Sequence, residues 1–204
     1  MRENQKISKE QNLAVHVSIV SIVVNFILSA GKLLAGIVGK SNAMISDAVH
    51  SASDVLSTIV VIVGVKMAEK KADQEHPYGH ERMECVASIL LAMLLGIVGA
   101  GIGISGIQKI LSDNYENLVV PGLLPLIAAI VSIVVKEWMF WYTRAAAKKV
   151  HSGALMADAW HHRSDALSSI GSFIGILFAR IGFPVMDPIA SVVISICILK
   201  AAYD

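Results

Sequence analysis

The stretch Ser46-Asp47-Ala48-Val49-His50-Ser51-Ala52-Ser53-Asp54 decides the reading of this chain. It returns further on as Ala157-Asp158-Ala159-Trp160-His161-His162-Arg163-Ser164-Asp165, with Asp, His and Asp at the same offsets. Positions i, i+3 and i+7 fall on one face of a helix that turns once every ~3.6 residues, so each segment presents a polar stripe to one side. Both stripes lie inside long apolar runs. An unpaired Asp in hydrocarbon costs about 2.5–3.5 kcal/mol even on the lenient insertion scale, and a bound divalent cation would offset four of them.

Working outward, 55% of the 204 residues are hydrophobic and 16% are charged, and the apolar residues come in runs of membrane-spanning length. The pattern predicts an all-α membrane protein with helices over 13–38, 43–68, 85–110, 122–143, 155–181 and 188–203, each close to the ~20 residues a bilayer requires. Residues 1–12 read as a polar N-terminal tail and 13–204 as one six-helix transmembrane domain. The first apolar run is too long for a cleavable signal and is read as a retained helix. Arg2, Lys6 and Lys9 precede it, Lys66, Lys70, Lys71 and Arg82 flank the second loop, and Arg144, Lys148 and Lys149 flank the fourth. The opposite loops hold little beyond Lys40, Lys109 and Arg180, which predicts both termini in the cytoplasm.

Other classes fit less well. A net charge of +1 and the lack of a basic stripe with interleaved aromatics argue against nucleic-acid binding. Cys85 and Cys197 have no paired spacing and read as small buried apolar residues. An enzyme would need an open zinc position and a general base, and no His-Glu-x-x-His element occurs, so no enzymatic activity is expected.

His50 with Asp54 and His161 with Asp165 supply two imidazoles and two carboxylates, a nitrogen and oxygen set suited to tetrahedral Zn2+, although Fe2+, Co2+ and Cd2+ also enter such sets. Two ionised carboxylates are neutralised by Zn2+ or by protons, and metal requires neutral imidazole, so the residues predict exchange of zinc for protons. Asp47 and Asp158, one turn earlier, are either acceptors for imidazole N–H groups or acidic groups along the ion's path. Asp73, His76 and His80, around a Pro77-Tyr78-Gly79 turn, form a second candidate metal site; a solvated turn that simply contains histidines is the plainer alternative. The plain reading of the two stripes is polar contact between helices, which would not require the same ligand types twice at one spacing. His162 lies off the stripe. Lys32 and Lys136 are expected to reach the interface along their stems, Arg163 to pair with Glu137 or an Asp of the stripe, and Trp138, Trp141 and Tyr142 to form an aromatic belt. Gly96, Gly99, Gly101, Gly103 and Gly106 predict a close helix contact, within the subunit or across a dimer.

Taken together, Asp47 to Asp54, His76-Pro77-Tyr78-Gly79-His80 and Asp158 to Asp165 resemble the cation diffusion facilitator family over essentially the whole chain. The resemblance implies a six-helix bundle and a homodimer in the lipid bilayer of the cell, for a bacterium the inner membrane. It also implies export of Zn2+ or a related divalent ion, driven by inward proton movement, through a site built by His50, Asp54, His161 and Asp165. His50 resembles the more zinc-selective form, since some relatives carry Asp there; manganese-type relatives favour Asp-rich or Asn-containing sets. Asp73, His76 and His80 match the family's less tightly defined loop site. The family usually continues into a cytoplasmic ferredoxin-like domain, whereas this sequence stops at Asp204, so that domain is expected to be absent. A metal sensor or scaffold on the same fold would carry the same residues.

Overall fold

Apolar periodicity with few breakers produces helices throughout. The computed structural model describes residues 2–68, 83–112 and 119–203, which form six helices: α1 Arg2–Val38, α2 Asn42–Ala68, α3 Met83–Leu111, α4 Leu123–Val150, α5 Gly153–Arg180 and α6 Met186–Tyr203. The expected elements are all present, with two extended. α1 runs back through the polar head to Arg2, and α4 continues past Thr143 to Val150. Among the described residues, three stretches, Val15–Val38, Ile89–Leu111 and Leu123–Val150, are long and apolar enough to cross a membrane. α5, which carries Asp158, Arg163 and Asp165, is not among them.

The bundle is inverted relative to a water-soluble protein. Large apolar side chains such as Ile97, Leu34, Leu167 and Val134 face outward, while serines, two lysines and several carboxylates lie inside. Lipid solvates the first group; the second has to find partners within the protein. Cys197 also lies on the outer face of α6, where a small apolar group is at home in lipid, so the expectation of a buried cysteine does not hold for it.

One end of the bundle is tied shut by polar contacts. Ser41 caps α2, accepting from Met44 N–H, and donates to Asp187 at the start of α6 (2.5 Å). Asp187 also accepts from the backbone N–H groups of Asn42 (2.7 Å) and Ala43 (3.4 Å), which places a carboxylate at the donor-rich start of α2. Lys109 donates to Asn42, Arg180 donates to the Pro121 carbonyl, and Gly122 N–H reaches Gly39 O at 2.8 Å. A Cβ at Gly39 would fall 2.2 Å from the Pro125 ring, so only glycine allows the α1–α2 turn to approach α4. At the opposite end α4 stops at His151, whose left-handed φ of 50° breaks the helix, and Ser152 caps α5 by accepting from Leu155 N–H.

Gly99, Gly103 and Gly106 of α3 serve packing inside the subunit, whereas Gly96 and Gly101 meet no atom within 4 Å. Cβ atoms at Gly103 and Gly106 would lie 2.8 Å from Ser195 and 2.6 Å from Val192, so the glycines let α6 press against α3. Ile194 and Ile198 of α6 and Leu95 of α3 fill the seam. This arrangement leaves α1, α2, α4 and α5 to surround the polar stripes.

Candidate metal centre

α2 carries His50 and Asp54 and α5 carries His161 and Asp165, each pair at i, i+4, and the two helices turn these pairs toward each other. One ligand atom each from His50, Asp54 and Asp165 lies within 4.8 Å of the others. His161 Nε2 stands 3.8 Å from a carboxylate oxygen of Asp54 and 3.8 Å from Oδ1 of Asp165. Ligands about 2 Å from a common tetrahedral ion would be about 3.3 Å apart, so His50, Asp54 and Asp165 stand close to a shared cation position, while His161, outside that group of three, has to draw in to complete a set of four. His50 Nδ1 is buried, and no hydrogen-bond partner reaches it among the described residues. A shielded imidazole nitrogen beside two carboxylates is suited to an electrophile.

The four ligands differ in access. Asp165 is buried, Asp54 and His50 are partly buried, and the His161 side chain is 47% exposed. Exposure follows from a cavity of about 290 Å³ that runs from Asp54 and His161 past Asn25, Ser21, Asp158 and Ser18 to Ser152 at the α4–α5 turn. The cage therefore communicates with the end of the bundle opposite the Asp187 ties.

The residues one turn upstream have diverged. Asp47 is fully buried and held by Lys32 (2.8 Å), with Ser168 and Ser169 donating at 3.2 and 3.0 Å. Lys32 also donates to Ser51 and Ser169, both at 2.9 Å. Asp158 instead borders the cavity, 3.5 Å from Nε2 of the fully buried His162, and that nitrogen lies 2.9 Å from Ser21 Oγ. Neither Asp bonds to an imidazole of the cage in this arrangement. Asp73, His76 and His80 lie outside the described residues.

Several polar residues take other places than the sequence predicts. Lys32 and Lys136 are 2% and 1% exposed, so neither extends to an interface. Lys136 pairs with Asp165 Oδ2 and donates to Asn25 Oδ1 at 2.5 Å. Its position midway along a span that long was the available signal, since the stem is too short to reach water from there. The cage thus holds an ammonium as well as two carboxylates, which revises the charge balance read from the ligands alone. Arg163 does not pair with Glu137 or a stripe Asp: its guanidinium lies 4.7 Å over the Phe140 ring and 5.8 Å from Trp160, and Glu137 accepts from Trp141 Nε1–H. Trp138 stacks on Tyr142.

A six-helix membrane bundle with facing His/Asp stripes defines a class of metal-handling membrane protein. The chain belongs to the cation efflux family, whose transmembrane domain matches residues 18–204. It is 41% identical over 91% of its length to an uncharacterized transporter of Methanocaldococcus jannaschii, covering 65% of that protein. It is 33% identical over 97% of its length to the manganese efflux system protein MneP of Bacillus subtilis, covering 67% of it. The magnetosome protein MamB of Magnetospira sp. is 34% identical over 85% of the chain, which spans 58% of that relative. The chain thus spans about two thirds or less of the relatives it matches.

Proposed function

We propose that this protein exports a divalent metal ion, Zn2+ by preference, from the cytoplasm in exchange for protons, with His50, Asp54, His161 and Asp165 as the transport site. The observation that carries the proposal is the grouping of His50, Asp54 and Asp165, with His161 3.8 Å from both carboxylates, beside a cavity that reaches the α4–α5 turn. Metal binding to such a set requires ionised carboxylates and neutral imidazoles, so metal and protons compete for the same atoms and proton uptake accompanies cation release. With both termini cytoplasmic, as the Lys and Arg distribution predicts, the cavity opens inward and the Asp187 ties close the outer end. The protein acts as a homodimer, and Asp73, His76 and His80 form a secondary cytoplasmic site.

Two imidazoles favour Zn2+ over Mn2+, which prefers carboxylate, carbonyl and water oxygens, although MneP is named for manganese efflux. The test is purified protein in liposomes enclosing a metal-sensitive dye and a pH dye, supplied with Zn2+, Mn2+, Fe2+, Co2+ or Cd2+ under an imposed proton gradient. Expected is fastest flux for Zn2+, with lumenal pH changing as metal enters. Preference for Mn2+ would overturn the assignment of the ion. Tight binding without flux would favour a sensor, and flux indifferent to the proton gradient would remove the exchange.

A further inference from the structure

Lys136 is an inner group that neither the family match nor the ligand set assigns. Its side chain is 1% exposed, and its ammonium touches two groups, Asp165 Oδ2 and Asn25 Oδ1. The other oxygen of the same carboxylate, Oδ1, faces His161 Nε2 in the cage. Asp165 is therefore shared, with one oxygen on a fixed cation and one toward the metal position. Separating a buried ammonium from its carboxylate is strongly unfavourable, so the pairing persists while metal comes and goes.

We infer that Lys136 is a tethered counter-cation that sets the affinity and selectivity of the transport site by limiting Asp165 to one oxygen and a partly compensated charge. This rests on the cage being the transport site. An arriving divalent ion meets two carboxylates and one ammonium, so its attraction is weaker than the ligands alone would supply. Moderate affinity suits a carrier, which has to release what it binds. Occupation of Oδ2 also keeps Asp165 from chelating through both oxygens. That disfavours ions that take six or more oxygen ligands and favours the low coordination number typical of Zn2+.

The test compares wild type with Lys136→Gln, which retains a hydrogen-bond donor without charge, and Lys136→Arg, which retains the charge. Equilibrium binding of Zn2+ and Mn2+ is read by calorimetry in detergent, and KM and kcat are read from liposome flux. The expected result for Lys136→Gln is Zn2+ binding about tenfold or more tighter, a lower KM and a lower kcat as release slows, with a larger affinity gain for Mn2+ than for Zn2+. Lys136→Arg should bring Kd back toward the wild-type value. A folded Lys136→Gln protein that binds metal as wild type does, or more weakly, overturns the inference and leaves Lys136 a structural partner of Asp165. Should Lys136→Gln fail to fold, Asn25→Leu gives the decision. It leaves the ammonium to Asp165 alone and is expected to weaken metal binding about threefold, and unchanged or tighter binding overturns the inference. Absence of metal flux in the wild type would count against the transport reading itself, so the two failures are distinguishable.

Discussion

α2 and α5 present the same three residue types at the same spacing, yet their surroundings give them different work. In α2 the first Asp of the triplet, Asp47, is sealed against Lys32 and two serines while the last, Asp54, opens onto the cavity. In α5 the order is reversed: the first, Asp158, borders the cavity and the last, Asp165, is sealed against Lys136. Each helix thus contributes one carboxylate held by a buried lysine and one accessible from the cavity. A repeated motif determines which face of a helix is polar. The neighbours from α1 and α4 determine which members are locked and which are available.

The comparison breaks most visibly at the cage. Asp54→Ala removes the accessible carboxylate from the candidate site and is expected to reduce metal flux into liposomes at least about 100-fold, since loss of one charged ligand is worth several kcal/mol in binding. Flux within a few-fold of wild type would show that the α2 stripe carries no cargo.

The locked and open Asp residues should differ in stability. Asp47→Ala leaves Lys32 buried with only hydroxyl partners, and a loss of about 3 kcal/mol or more is expected in detergent unfolding. Asp158→Ala, at a wetter position, should cost about 1 kcal/mol or less. Equal losses would mean that the two positions are equivalent after all.

Away from the stripes, Gly106→Ala should cost about 1–3 kcal/mol, because its Cβ would lie 2.6 Å from Val192 Cγ2. Gly101→Ala on the same helix meets no atom within 4 Å and is expected to melt with wild type. A small effect is also expected of Arg163→Gln. It removes a stacking cation beside the α5 stripe, at about 0.5–1 kcal/mol of stability, and should leave transport unchanged. A loss of transport would instead place Arg163 in the site.

The physical reasons for what was legible are local. Turn-by-turn periodicity marked the helices, with α1 and α4 extended by polar or charged ends that remain helical, and the i, i+3, i+7 spacing put His50 with Asp54 and His161 with Asp165 on shared faces. The interfacial reading of Lys32 and Lys136 failed because snorkelling requires a nearby membrane surface, and the carboxylates lie closer. His162, one position off the stripe, proved to be fully buried, because Ser21 of α1 reaches its ring nitrogen at 2.9 Å.

The amino-acid order by itself determined the helical class, the membrane environment and the chemistry of the two stripes, since each follows from hydrophobicity and the 3.6-residue turn. Only the tertiary structure decided that the stripes meet, that the cage is reached from the Ser152 end, and that buried lysines hold Asp47 and Asp165. Those outcomes depend on contacts between residues far apart in the chain, and helical periodicity carries no information about which helix lies beside which.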